Sequence, residues 1–534
     1  MRLISRMTKT CLLLSAMLLG GCTVRTTIEV TATTPANVTN MYVTVKEIWF
    51  TSSSNAIPGN NEWTKKVLSD PVTINLASLN DGTVEEIASL TLFSGNYAQV
   101  RLVLADIDDP LEDSAEDLGL TWNNAVQYVD EDGVSRLLPL EFASADAALL
   151  ALASIEIDGS AALGSSDTAT STVVLDIDAL RSLVPFDYGG QAAALLNPGL
   201  RAYNAADAGI VTGSFDLDAI STAVIDSDQG VVVSAEVLDP DGIRHSIVKS
   251  TRLGSDGSFT LYPLPVDEDD DTSNYEIVVH GPGVQTLVVT GVTVEAEETS
   301  ELQDSDITLP ASPHFLVNTT TATYGGTAAE FYQTLPTSSR PYLIDFTAVN
   351  PFGGGFDADL GLASARVVYG AYNDGNIISF ATATPGEGTA SYGLATNSRW
   401  RAISDFVTVT GASGGSSTPQ LVALPSPDLP AGGTAGTISG TILFNAAGQY
   451  DSLYLIVSRG GQVVDAVDLS ASITGSATVN FSVADVPAGT TNSVYELSVR
   501  AWRSGNPSAT LARAAFATRA DLRLGNASGL SLQL

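Results

Sequence analysis

The sequence predicts an all-β chain: several antiparallel β-sandwich modules in series behind an N-terminal export signal. Short alternating apolar runs, broken by Gly, Asp, Asn and Pro, recur along its length, while long runs of helical period are scarce. Charged residues are only 16% of the chain, and the composition leans to Gly, Ser, Thr, Ala and Val, which suits half-buried strands better than solvated helices. The length of 534 residues corresponds to about three or four domains of ordinary size.

The first 21 residues read as a signal segment. Arg2, Arg6 and Lys9 form a positive start, and Cys11 to Leu19 is apolar apart from Ser15. That run is too short to span a bilayer, which needs about 20 residues, and it suits the apolar part of a signal peptide. Leu19-Gly20-Gly21-Cys22 then reads as a lipobox. The small Gly20 and Gly21 let a peptidase close on the backbone. The Cys22 thiol takes a diacylglycerol thioether, and cleavage before it frees an amine for a further acyl chain such as palmitate. The alternative is a plain secretory signal with a chance cysteine. Residues 22–25 form the lipidated tether, and two or three acyl chains anchor stably where one does not. Thr at position 23, where Asp would mark retention, resembles the sorting pattern for the outer membrane of Gram-negative envelopes.

Loss of Arg2, Arg6 and Lys9 takes the net charge from −36 to −39. So acidic a surface argues against nucleic acid as a partner and against attraction to anionic lipid. Only two cysteines are present; Cys11 leaves with the signal and Cys22 is acylated, so no disulfide is expected.

The first module is expected over residues 26–206. Tyr42 to Trp49 alternates partly. Val72 to Leu76 alternates strictly, and Tyr97 to Leu104 places Ala98, Val100, Leu102 and Leu104 on one side. Thr172 to Asp178 is a further strand. The segments Val43–Ile48, Trp63, Val72–Leu79 and Ser94–Leu102, with Val174–Asp178 and Leu196–Arg201 closing, resemble the bacterial lipoprotein family called domain of unknown function 4382. Ser-Gly-Asn-Tyr stands at 94–97 where that family has Ala-Gly-x-Tyr, and 106–170 is more acidic and departs further. The resemblance implies an envelope lipoprotein with a sandwich-like module, and no known chemistry.

The second module is expected over 209–311. Its strands are Gly209–Gly213, Val231–Val237, Gly257–Leu261, Tyr275–Val279 and Leu287–Val294. Their order resembles the carboxypeptidase-regulatory-like, or transthyretin-like, sandwich. In that family Asp256-Gly257 would turn a hairpin and Phe259 would enter the core. Residues 312–427 form a β-rich module of no nameable type, with strands at Tyr342–Phe346, Ala365–Tyr369 and Phe406–Val409. Residues 411–436, rich in Gly, Ser and Pro, read as a linker region. The last module, 437–534, reads as a possible repeat of the second. Ala208-Gly209-Ile210-Val211-Thr212-Gly213 matches Ala435-Gly436-Thr437-Ile438-Ser439-Gly440, and Tyr275–Val279 matches Tyr495–Val499.

Chemistry-bearing motifs are few. His245, His280 and His314 are the only histidines; no metal-binding spacing joins them, so a zinc site would require His245 and His280 to meet in the fold, and the plain reading is surface histidines. Gly411-Ala412-Ser413-Gly414-Gly415 satisfies G-x-S-x-G, but no helix pattern follows to make a nucleophile elbow. The acidic turns are weak calcium candidates through Asp130, Asp132, Asp239, Asp241, Asp269 and Asp271, since calcium takes six to eight hard oxygens. None completes an EF-hand, and the competing reading is solvated loop tips. No other cofactor is expected. The expected function is a non-enzymatic envelope lipoprotein, anchored by its N-terminal lipid, that presents binding or structural modules to a glycan or an envelope protein. The alternatives are a carbohydrate-binding surface lipoprotein and a hydrolase with an unrecognised acidic site.

Overall fold

The computed structural model describes residues 23–534, apart from 131, 144–146, 159–168, 198, 221–229, 268–270, 303–307, 310, 313, 322–327, 336, 354, 362–366, 374–375, 384–389, 412–418, 447, 474–475 and 505–510. The chain is all-β, as expected, with eight sheets among the described residues, grouped into several modules in series. No helix among the described residues is long and apolar enough to cross a membrane.

All four modules share one seven-strand plan. In the second module the strands are Ala208–Ser214, Val232–Leu238, His245–Arg252, Ser258–Pro265, Thr272–His280, Leu287–Glu295 and Thr299–Leu302. The first lies between the fourth, antiparallel, and the seventh, parallel. The third, second, fifth and sixth form the opposing sheet in that order. The fourth module repeats this with Thr434–Leu443, Ser452–Arg459, Gln462–Asp468, Thr478–Ala488, Val494–Trp502, Ala512–Ala515 and Ala527–Gln533.

The repeat read from the sequence extends to register. Ala208 pairs with Pro265 and Gly213 with Phe259; Ala435 pairs with Pro487 and Gly440 with Phe481. Each ladder slips at the same place, between Gly209 and Val211 or between Gly436 and Ile438. The glycines are required by close approach: a Cβ at Gly213 would fall 2.8 Å from the Phe259 ring, and one at Gly440 would fall 2.8 Å from Phe481 and 2.2 Å from the Leu530 carbonyl.

The third module, which resembled nothing from sequence, follows the same plan through His314–Thr321, Ala328–Thr334, Pro341–Ala348, Asp357–Gly361, Ala390–Asn397, Val407–Gly411 and Gln420–Ala423. Its seventh strand lies inside the stretch read as a linker. The first module follows it with Thr23–Thr33, Val38–Thr51, Thr64–Asn75, Glu85–Phe93, Gly95–Leu104, Ala148–Ile157 and Thr170–Asp178, and adds Ala125–Val129, Ser135–Phe142, Leu183–Asp187, Ala192–Leu196 and Leu200–Asn204 at its sheet edges. One contact marks all four copies: a buried tyrosine on the fifth strand donates to a carbonyl at or near the end of the fourth. The pairs are Tyr97 to Phe93, 3.0 Å, Tyr275 to Pro265, Tyr392 to Gly361, 2.6 Å, and Tyr495 to Pro487, 2.7 Å.

The four-stranded sheets are not half-solvated. Val232, Val233, Ser234, Ala235 and Glu236 are successive residues and all are buried. On Gly95–Leu104, Gln99 and Arg101 lie on the face opposite Val100, Leu102 and Leu104 and are buried as well. The cause is packing between modules. One apolar cluster combines Ala143 and Leu195 of the first, Val278 and Val288 of the second, Phe331 and Ile344 of the third, and Ile456 and Val463 of the fourth. Ion pairs cross the same seams: Lys249 with Asp176, Arg181 with Glu330 at 3.4 Å, and Arg500 with Glu141 at 3.0 Å.

Candidate functional site: a cavity among three modules

Strand alternation dictates what faces the seam. On Thr272–His280, Tyr275, Ile277 and Val279 fill the second module's own core, so Glu276, Val278 and His280 point to its neighbours. His280 is 1% exposed, and among the described residues neither of its ring nitrogens has a hydrogen-bond partner. Its ring meets Phe346 edge-on at 5.8 Å. Burial pushes the imidazole pKa down to about 3, so the ring is neutral.

Asp345 is placed by a slip in register. On Pro341–Ala348 the pairing shifts by one between Phe331 and Tyr332, so Asp345 rather than Ile344 lies opposite Phe331. Its carboxyl accepts from the Phe346 N–H at 2.7 Å. Burial pushes its pKa up to about 8, so it carries its proton at neutral pH.

His280 and Asp345 both line a cavity of about 310 Å³. The first module closes it with Asn37, Val38 and Leu183–Pro185, and the third with Phe346 and Phe356. Among the described residues its lining holds no lysine or arginine. Its lining therefore combines apolar residues such as Val38, Leu183 and Phe356 with His280 and two acids, Asp345 and Asp357. A second cavity of about 360 Å³ holds Arg181, Arg201 and Arg399. These guanidiniums are already engaged: Arg181 by Asp178 at 2.7 Å, Arg201 by the Val248 carbonyl, and Arg399 by the Leu150 and Leu200 carbonyls.

Apart from His280, the residues singled out from sequence lie elsewhere. His245 and His280 are buried, not surface histidines, because neighbouring modules cover both. They flank opposite ends of Val232–Leu238, pairing with Leu238 and Val232; that is about 20 Å of strand, too far to share a metal. His245 stacks on Tyr342 at 4.1 Å. Asp130 accepts from the Asp132 and Val134 N–H groups and pairs with Arg136. Asp239 accepts from Ser246 Oγ, and Asp241 caps its own turn through the Ile243 N–H at 2.9 Å. Asp271 sits at a positive φ of 52° in its turn. Among the described residues no three His, Cys, Asp or Glu side chains gather where a metal ion could sit. Asp269, Leu19, Gly20, Gly21, Cys22 and Ser413 lie outside the described residues. The cavity was missed because alternation tells which face His280 is on, not what covers it.

Residues 24–198 match a family described as a domain of unknown function (DUF4382). That covers the first module up to Ala192–Leu196 and agrees with the resemblance carried by Val43–Ile48 and Ser94–Leu102. No curated protein matches the sequence. Among solved structures, the chain is similar to the Bacillus anthracis TIE protein at 10% identity, covering 93% of this chain and 69% of that one, with a TM-score of 0.16. It is also similar to a DUF3823 family protein from Bacteroides uniformis, at 10% identity, 58% and 96% coverage and a TM-score of 0.13.

Proposed function

We propose that this chain is a non-enzymatic lipoprotein of the cell envelope, held by acylated Cys22 at the outer membrane of a Gram-negative bacterium, whose packed sandwiches serve as one rigid binding or structural body. The observation that carries this reading is the continuity between lipobox and fold: Leu19-Gly20-Gly21-Cys22 is followed at once by strand Thr23–Thr33. The acylated residue thus precedes the body with no linker, and the first sandwich is set against the lipid surface. Support comes from Phe93, the register partner of Thr23, which is 60% exposed beside the start of that strand; an apolar ring at that height adds to lipid contact. The sandwiches are read as transthyretin-like, a reading favoured by the shared order of strands in all four modules.

Metabolic labelling tests the proposal. Radiolabelled palmitate is expected to enter the wild-type protein and not Cys22→Ser, and the variant is expected to leave the membrane fraction. A wild-type protein without label, or a variant still on membranes, ends the reading.

A further inference from the structure

We propose that the cavity where the four modules meet binds a small organic carboxylate, held by the guanidinium edge of Arg399 and the side-chain amide of Asn197. This names a ligand for the binding body proposed above, and it does not depend on the lipid.

The cavity, about 360 Å³, is lined from every module: by Arg201 of the first, Ile247 of the second, Arg399 of the third and Gln462 of the fourth. That size falls at the small end of the range of ligand pockets. Among the described residues its lining carries three guanidiniums, Arg181, Arg201 and Arg399, against two carboxylates, Asp178 and Glu330. Arg181 holds both carboxylates, at 2.7 and 3.4 Å. Arg201 lies 3.9 Å from Asp178 and 3.7 Å from Asp176, and Asp176 is shared with Lys249. With Asp176 and Lys249 included, four cations face three carboxylates, and Arg399 is the one that meets none. In a chain of net charge −36 this local excess of positive charge is not a matter of composition.

The free part of Arg399 has a definite shape. Nη1 donates to the Leu150 and Leu200 carbonyls, which satisfies hydrogen bonds and leaves the charge unpaired. Nε and Nη2 make no hydrogen bond among the described residues, and neither atom is sealed from solvent. Their N–H groups lie side by side on one edge of the guanidinium plane, the fork that takes both oxygens of a carboxylate. Burial, and after it the Arg201 and Arg459 guanidiniums, pushes the Arg399 pKa down to about 10, so the group is charged at pH 7. Asn197 is 2% exposed and lines the same cavity. Its Oδ1 accepts from the Val463 N–H at 2.8 Å, which fixes the orientation of the amide. The Nδ2 left over has no partner among the described residues and keeps accessible surface, so it supplies a further donor.

Propionate and propionamide are nearly the same shape and differ in charge, and inorganic phosphate offers a tetrahedral oxyanion in place of a planar one. Calorimetry of the full chain at pH 7 and low salt is expected to show saturable binding of propionate, with propionamide and phosphate at least tenfold weaker. Arg399→Gln removes the charge and the fork. Asn197→Asp keeps the acceptor for Val463 and puts a negative group where the donor was. Each should weaken propionate at least tenfold, with the urea midpoint reporting an intact fold. If neither variant folds, Gly199→Leu decides: an added Cβ there lies at an ordinary 3.7 Å from the Gln462 amide, and the side chain fills the cavity without touching the charges. It should abolish binding. The proposal is overturned if millimolar propionate gives no saturable heat, if propionamide or phosphate binds as well, or if a folded variant keeps wild-type affinity. Each of these results leaves the Cys22 experiment unaffected.

Discussion

Glu141 is the clearest lever on how the first and last modules hold together. Its carboxylate, 1% exposed, accepts from Arg500 Nε at 3.0 Å, from Arg513 at 2.9 and 2.7 Å, and from the Tyr188 hydroxyl at 3.0 Å. Burial alone would raise its pKa; the Arg500 and Arg513 guanidiniums overcome that and hold it below the ordinary carboxylate range. Glu141→Gln keeps the shape and removes the charge, leaving Arg500 fully buried with no carboxylate. Removing one partner of a buried pair costs about 3–5 kcal/mol, and because Arg513 remains partly exposed, near Asp108, the lower half of that range is expected. With a urea dependence of about 1–3 kcal/mol per molar, the unfolding midpoint should fall by about 1 M or more. Trp502, whose ring lies 5.0 Å from Tyr188, reports the transition by fluorescence. A depressed acid stabilises above its ordinary pKa of 4.5 and loses that contribution as the pH falls through its lowered folded value. The gap between wild type and variant should therefore be full at pH 7 and close in acid. An unchanged midpoint at pH 7, or a gap that widens in acid, would refute the reasoning.

Further perturbations follow from the same structure. Asp345 has its pKa raised to about 8 against an ordinary 3.8, so its protonated folded form contributes stability that is full below pH 3.8 and lost as pH rises through 8; Asp345→Asn should raise the melting temperature at pH 9 and leave it little changed at pH 4, and a lower value at pH 9 refutes this. Gly440→Ala should destabilise by about 1–3 kcal/mol and by more than Gly213→Ala, because its Cβ strikes the fixed Leu530 carbonyl as well as a ring; equal losses in urea unfolding would show that the two ladders relax alike. Tyr495→Phe should cost about 1 kcal/mol through loss of the bond to Pro487, read in the same assay, and no loss would deny the tyrosine contact a part in holding the fourth strand.

Which parts of this architecture are written locally can be told from particular residues. The strands are local facts: Val72, Ile74 and Leu76 alternate and do pack on the first core, with Leu76 already in a short 3-10 turn. The kinship of second and fourth modules is also local, since Gly213 and Gly440 are each dictated by a ring on the paired strand. The third module hid its plan because Val367–Asn373 and Asn376–Ala383 intervene between its fourth and fifth strands, and only Tyr392 keeps the common signature. His280 stood out as a strand end, but its burial depends on modules distant in sequence. Asp345 depends on a one-residue slip that no periodicity announces.

The departures from the common plan are where the modules are joined. The sixth strand of the second module, Leu287–Glu295, would be an open edge in an isolated sandwich, and open edges recruit other chains. Here the third module's inserted hairpin closes it: Leu287 pairs in parallel with Val368 and Thr290 with Ala371, making one six-stranded sheet from two modules. The first module's inserted strands instead extend its own sheet from Val38–Thr51, and one of them, Ser135–Phe142, carries Glu141 to the arginines of the fourth module. A four-copy chain with no disulfide expected is thus fastened by shared ladders and buried charge, which constrain orientation as well as distance. That fixed orientation is what allows three modules to meet around His280 and keep a cavity open there.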